Sequence, residues 1–482
     1  MTLTPASRVH AAVFEQTERT RQCSRTDIQR FIEESESKII SLDSQITALM
    51  ELRDSQRACI LALRYIISPI RALPVELLAE IFDLAIQDDT HIQDVYQISH
   101  VCSHWRRLAH NTPRLWARPL TVDLSEDSEK DAADGLKAWL ECSAPLSLPI
   151  SFMPVHVNMN PAIREEVLRV VSRLGSLQMP IRTLSSLVRQ LGKCRLDNLE
   201  ELELEGIEDD TDPTPPLAFT AVPRLQKLSI INCPIAYHTL VPWAQLTELT
   251  IGASPDTTLG VLSHCANLFE VFVINPGWPQ FPEAGPDLVV LGQLRSLRLE
   301  IRMDSGDIAQ FLNYLSTPLL QTFRVDVVQA QRWTQASLTA FQLRAPNITQ
   351  LQFGFSQTLT SENLVAVTFH APSLTHLTLT YCNGCFDDAF IRTLYHKDGV
   401  TPAVPCLHSL VVWQGSDTVS LTEDFLAGMI ASRWWSDTEL ASYLAPPAVA
   451  RWTRVEFEMG TYAWGPQFED ILKDIPSDVL RY

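Results

Sequence analysis

Mostly apolar positions between 27 and 67 recur in alternating steps of four and three: Ile28, Ile32, Ser35, Ile39, Leu42, Ile46, Leu49, Arg53, Gln56, Ile60, Leu63 and Ile67. That is the period of a coiled-coil seam, in which the a and d positions stay turned toward a partner helix. The stretch contains neither Pro nor Gly, so it predicts one long helix. Arg53 and Gln56 interrupt the seam. The helix could lie along its own chain or pair with a second copy, and the pattern fits both. Ser68-Pro69 then disfavours the helical conformation and ends the run.

Residues 69 to 120 predict a compact helical unit. Pro74 sits where a first helical turn tolerates a missing N–H, and Glu76 follows where the helix dipole favours an acid. Leu77, Leu78, Ile81, Phe82 and Ala85 read as one apolar stripe. "QDDTH" breaks it. A second helix is expected to carry Ile98, Val101, Cys102, Trp105 and Leu108 on one face, and "NTPRLW" closes the unit with Leu115 and Trp116. Roughly fifty residues bury only a limited core, and this segment holds more large apolar residues than such a core needs. A partner surface is implied.

Beyond residue 140 the pattern changes to L-x-x-L-x-L. It begins at 199, 225, 246, 268, 294, 320, 348, 374 and 407, and in degenerate form at 452. Steps of 26, 21, 22, 26, 26, 28, 26, 33 and 45 residues lie mostly in the leucine-rich-repeat range, the last two carrying insertions. In five units a proline lies two residues before the first anchor: Pro223, Pro318, Pro346, Pro372 and Pro405. Proline there ends the preceding helix and sets an extended entry to the strand. Helical stretches such as "GDIAQFLNYL", "TQASLTAFQL" and "DDAFIRTLYH" separate the strands. "LSLPISF" and "LGSLQM" are candidate capping units. One strand plus one helix per unit predicts a solenoid with a curved parallel sheet.

Strand side chains alternate, so the central x of each L-x-L faces away from the core. Read in order, that column is Glu203, Ser229, Thr250, Phe272, Arg298, Arg324, Gln352, Thr378, Val411 and Glu456. Arg298 and Arg324 should be strand neighbours, with Arg295 on the same strand as Arg298. Such a trio could hold an acidic or phosphorylated segment. It is also the ordinary polar face of a sheet.

The chain has 482 residues with a formal net charge of -19, which argues against a general nucleic-acid or anionic-membrane binder. Hydrophobic residues at 46% allow a large core. No stretch nears the roughly 20 apolar residues of a membrane span, and no secretory leader is expected at the start. Ten scattered cysteines suit a reducing cytoplasm or nucleus. "CNGC" at 382 to 385, near His370, His376 and His396, invites a zinc reading. The repeat register instead places Cys382, like Cys233, where a leucine-rich repeat turns a small residue inward toward loop backbone. Cys102 with His104 suggests a thiol–imidazole pair, but two residues apart on a helix they would not face each other. Cys102 is expected as a small core residue. The acidic runs "SEDSEKDAAD" and "EGIEDDTD" read as solvated loops. No phosphate loop, dinucleotide fingerprint, nucleophile elbow or H-E-x-x-H appears, so neither cofactor, metal nor catalysis is expected.

"LPVELLAEIFDLA…ISHVCSHWRRLAHNTPRLW", 44 residues from Leu73 to Trp116, resembles an F-box. The preceding coil and the following repeats resemble the layout of fungal, basidiomycete-like F-box proteins with divergent leucine-rich arrays. The resemblance implies an α/β chain: a flexible N-terminus at 1–26, a long helix or coiled coil at 27–67, a three-helix F-box at 69–120 and a leucine-rich-repeat solenoid at 140–482. It further implies a non-catalytic substrate receptor that docks on a Skp-type adaptor, and through it a cullin, for ubiquitin transfer to a protein target. The anchors carried over are Leu73, Pro74, Leu77, Ile81, Phe82, Val101, Trp105, Leu115 and Trp116, some of which must hold the three helices together instead. A leucine-rich scaffold that assembles without degradation is the alternative.

Overall fold

The computed structural model describes residues 13, 15 and 25–482, apart from 123–129, 154–160, 207–218, 233–240, 276–277, 279–287, 303–307, 328–334, 383, 398–402, 416–420, 444–446 and 461. Most of 1–26, much of both acidic runs, and Cys233 therefore lie outside the described residues. The chain separates into two compact units, Met1–Ala85 and Ile86–Tyr482.

In the first unit, α1 (Arg25–Ile66) is one unbroken helix of 42 residues. Asp27 in its first turn and Arg64 in its last complement the helix dipole. Its seam is bare: Ile39 is 56% exposed, Leu42 55%, Ile46 54% and Leu49 65%. A 3-10 turn, Pro69–Ala72, follows Ser68. Then comes α2 (Val75–Ala85), opened by Pro74, whose carbonyl accepts from the Leu78 amide at 3.0 Å.

The second unit begins with α3 (His91–Val101) and α4 (Ser103–His110). The single helix expected over Ile98 to Leu108 is thus two. Cys102 is fully extended at φ -162° and ψ 169°, and its Sγ accepts from the Trp105 amide as an N-cap. It is half-buried and in no helix, not the core residue expected from sequence. Fourteen strands then form one sheet among the described residues. They are β1 (Leu120–Val122), β2 (Leu148–Phe152), β3 (Leu174–Pro180), β4 (Glu201–Glu205), β5 (Lys227–Ile231), β6 (Glu248–Gly252) and β7 (Glu270–Asn275). Then follow β8 (Ser296–Ile301), β9 (Thr322–Val327), β10 (Gln350–Gly354), β11 (His376–Thr380), β12 (Ser409–Trp413), β13 (Arg454–Glu458) and β14 (Leu480–Arg481).

Every neighbouring pair is parallel and sequential, as a strand–helix repeat demands. All ten L-x-x-L-x-L segments form strands, and the candidate caps are β2 and β3. The sheet opens at β1, ahead of residue 140. The alternation is visible in burial: Leu297, Leu299, Leu377 and Leu410 are fully buried, each contributing about 2 kcal/mol of transfer free energy. The three helical stretches singled out contain helices at Ile308–Asn313, Gln335–Leu343 and Asp388–Leu394.

The repeat prolines do more than stop helices. Pro223, Pro318, Pro372 and Pro405 each follow the residue whose carbonyl accepts from the first Leu amide, as in Leu225 N to Val222 O at 3.2 Å and Leu320 N to Thr317 O at 3.1 Å. Proline pre-sets φ at the second residue of such a turn. Asparagine, where it precedes the anchor, ties repeats together: Asn198, Asn267 and Asn347 each donate Nδ2 at 2.7 Å to Ser172, Ala244 and Pro318 carbonyls of the preceding repeat. No described helix is long and apolar enough to cross a membrane.

Candidate interaction surfaces

The stripe expected along α2 divides into two faces. Leu78, Ala79 and Phe82 are buried, Phe82 to 2%. Leu77, Ile81 and Leu84, spaced i, i+4 and i+7, point outward at 53%, 43% and 86% exposure. Pro74 is also exposed and Leu73 half-buried. Leu77 and Leu78 are adjacent in sequence but about 100° apart around the helix, so only the packing could separate them.

In the second unit Val101 is exposed at 58%, Trp105 half-buried, and Leu115 and Trp116 fully enclosed. Trp116 is a structural hub. Its Nε1 donates to the Ala109 carbonyl at 2.8 Å, and its own carbonyl accepts from Trp139 Nε1 at 2.8 Å. The two indoles meet edge to face at 4.8 Å. Trp139 was not singled out from sequence, because it follows a segment with no repeat register. Of the nine expected adaptor anchors, Leu77, Ile81, Val101 and Pro74 are therefore exposed, while Phe82, Leu115 and Trp116 serve the interior.

On the sheet, the expected column is realised in full register. Glu203 pairs with Ser229, Ser229 with Thr250, Phe272 with Arg298, Arg298 with Arg324, Arg324 with Gln352, and so on to Val411 and Glu456. It extends to Thr121, Ser151 and Gln178 at one end and Arg481 at the other. Val411 is its buried member, at 6% exposure.

Arg298 and Arg324 stand side by side, which like charges resist. Asp326 resolves the conflict. Its Oδ2 accepts from Arg324 Nε at 2.7 Å and from Arg298 Nε at 3.2 Å, while only 4% of the residue is exposed. The Arg298 guanidinium also lies 4.3 Å from the Phe272 ring centroid and 3.5 Å from Glu300. The terminal nitrogens of Arg324 have no partner among the described residues. Gly354 on the next strand makes room, since a Cβ there would collide with Asp326 Oδ1. Arg295 departs from expectation. It lies just before β8, exposed, with its guanidinium 6.0 Å from the Phe269 ring, and is not part of the pair.

Toward β3–β6 the same face turns acidic. A depression of about 360 Å³ is lined by Gln178, Glu201, Glu203, Lys227, Glu248 and Thr250. Lys227 bridges Glu201 at 3.5 Å and Glu248 at 3.0 Å. Burial, helped by Glu205 and Glu201, pushes the Glu203 carboxyl above the ordinary range against a hydrogen bond from Gln178. At the far ends of β10 and β11, Phe355 and Tyr381 take φ of 57° and 53°, a strained conformation for bulky residues. Their rings stack at 5.3 Å and stay exposed. Each lies four residues after its strand's first leucine, a regularity that sequence periodicity does not flag.

The CNGC cysteines are spent locally. Cys382 Sγ donates to the Phe353 carbonyl at 3.3 Å and Cys385 Sγ to the Cys382 carbonyl at 3.4 Å. Cys382 thus turns inward as the repeat register predicts, but it bonds to a strand carbonyl of β10 and not to loop backbone. The hydrogen bond with Cys382 and burial raise the Cys385 pKa, keeping it a thiol.

Residues 70–121 match the F-box-like family model, so an F-box-like region occupies this segment. No curated protein matches the chain. Among solved structures, a chain in the crystal structure of the Rad7 and Elc1 complex in yeast is similar, at 17% identity and a TM-score of 0.33 over 76% of this chain and 94% of that one.

Proposed function

We propose that the chain is the substrate-receptor subunit of a Skp–cullin–F-box ubiquitin ligase of the cytoplasm or nucleus. Residues 69–120 dock on the Skp-type adaptor, and the leucine-rich repeat array holds the target. The observation that carries this reading is the F-box-like segment itself, whose α2 leaves Leu77, Ile81 and Leu84 bare beside a complete inner face. An outward stripe of that kind on a short helix is a helix-in-groove ligand. The receptor performs no bond chemistry. Tethering raises the target's effective concentration near the transferring enzyme.

The target side of the proposal rests on the sheet. Arg324, oriented by Asp326, offers a bidentate pair of terminal nitrogens to an acidic or phosphorylated segment, with the Arg298 guanidinium beside it adding positive charge. Arg295 contributes charge only at longer range. The adaptor reading is tested by pulldown with a purified Skp-type adaptor. Leu77→Ala with Ile81→Ala should leave the fold intact and weaken binding by on the order of 2 kcal/mol or more. Phe82→Ala should instead cost about 3–5 kcal/mol of stability through cavity formation. An intact wild type that binds no adaptor would sink the reading. With adaptor binding established, inhibiting the cullin should make the bound target accumulate, which a non-degradative scaffold would not do.

A further inference from the structure

The seam of α1 is exposed throughout, apart from half-buried Ser35. A helix of 42 residues with Ile and Leu bare along one line has no reason to keep that line in water. We infer that α1 pairs with α1 of a second copy of this chain in a parallel, in-register, two-stranded coiled coil.

The layers decide the partner and its direction. Ile32, Ile39, Ile46, Arg53 and Ile60 fall at a; Ile28, Ser35, Leu42, Leu49, Gln56 and Leu63 fall at d. Ile at a with Leu at d is the combination that favours two parallel strands. Three positions are polar: Ser35, Arg53 and Gln56. In a parallel pair each meets its own kind, so the polar groups share layers and can satisfy one another. An antiparallel pair of the same length would set Arg53 against Leu42, Gln56 against Ile39 and Ser35 against Ile60, leaving each polar group opposite an aliphatic one. The paired Arg53 side chains can carry their charges outward along their stems, where Asp54 already lies 2.9 Å from Arg53 Nε. Parallel packing also places Lys38 at g against Asp43 at e of the second copy. A coil of this length runs about 60 Å, ample for a stable dimer.

The consequence is a bivalent molecule. Parallel strands bring both Ile66 ends, and the α2 segments that follow within a few residues, to one end of the coil. Two copies would then present their docking helices together, multiplying avidity for any partner with two sites. The pairing itself does not depend on the ubiquitin reading.

The test is the mass of the full chain by light scattering over a dilution series, with adaptor pulldown run separately to report on α2. The wild type should give twice the 54.2 kDa chain mass, and Ile39→Lys with Ile46→Lys should halve it while circular dichroism confirms the repeat array stays folded. A monomeric wild type, or a double variant that remains dimeric, overturns the inference. Direction is read from Ile32→Cys under mild oxidation in a Cys23→Ser, Cys59→Ser and Cys406→Ser background, that background alone serving as the control. Parallel strands give an interchain disulfide that reduction removes. A dimer without that cross-link overturns the parallel assignment, because antiparallel strands hold the two positions at opposite ends.

Discussion

Asp326 holds two arginines that sheet register alone would drive apart. Its carboxylate is nearly enclosed, so its removal takes away the one acid shared by Arg298 and Arg324 and leaves Glu300, 3.5 Å from Arg298, as the nearer counter-charge. Asp326→Ala should cost about 2 kcal/mol, in line with hydrogen bonds to charged groups. Gly354→Ala should act in the same direction by pushing Asp326 aside. Chemical denaturation checks both, and binding of an acidic peptide should weaken in parallel. His376 is a second residue whose behaviour follows from its neighbours. Burial, then His408 at 4.8 Å between ring centroids, then Arg454 hold its pKa below the usual 6.5. A base with a lowered folded pKa binds fewer protons folded than unfolded, so this residue's contribution to stability falls as pH drops through 6.5. Proton NMR should find His376 titrating below that value, and His408→Gln should move it upward.

Elements show how one apolar stripe can serve two purposes. In α2 the inner line of Leu78 and Phe82 is buried, and the outer line of Leu77, Ile81 and Leu84 is left for something else. Cys102 breaks the next helix in two because an extended residue there lets a thiol cap the following turn. At three of the repeats, asparagine before the anchor binds the unit to the one before it. Asn198→Ala and Asn347→Ala should each cost about 1 kcal/mol. Lying several repeats apart with no shared partner, the two should add. Equilibrium unfolding of the single and double variants measures this directly.

For the whole molecule, the sheet pairs only sequential neighbours, so each repeat depends on the two beside it. Such an array presents one long face whose character can change along its length. Here it is acidic around β3–β6 and basic at β8–β9, despite a net charge of -19. A target read by this face would be distinguished by the order of its charges, not by a single contact. The F-box-like segment, by contrast, offers the bare apolar line of Leu77, Ile81 and Leu84 along α2.

Periodicity by itself determined the long helix, the ten repeat strands and the register that places Arg298 beside Arg324, because a period of 3.5 or 2 is written in every turn or pair of residues. The F-box-like segment was legible through ordered anchors. What the tertiary structure decided is what periodicity cannot carry. It divided Leu77 from Leu78 by packing one of them. It broke the helix at Cys102, where a local cap outweighed the apolar pattern. It brought Asp326, Phe272 and Gly354 around the arginine pair from three different strands, a contact set by sheet neighbours some 25 residues apart.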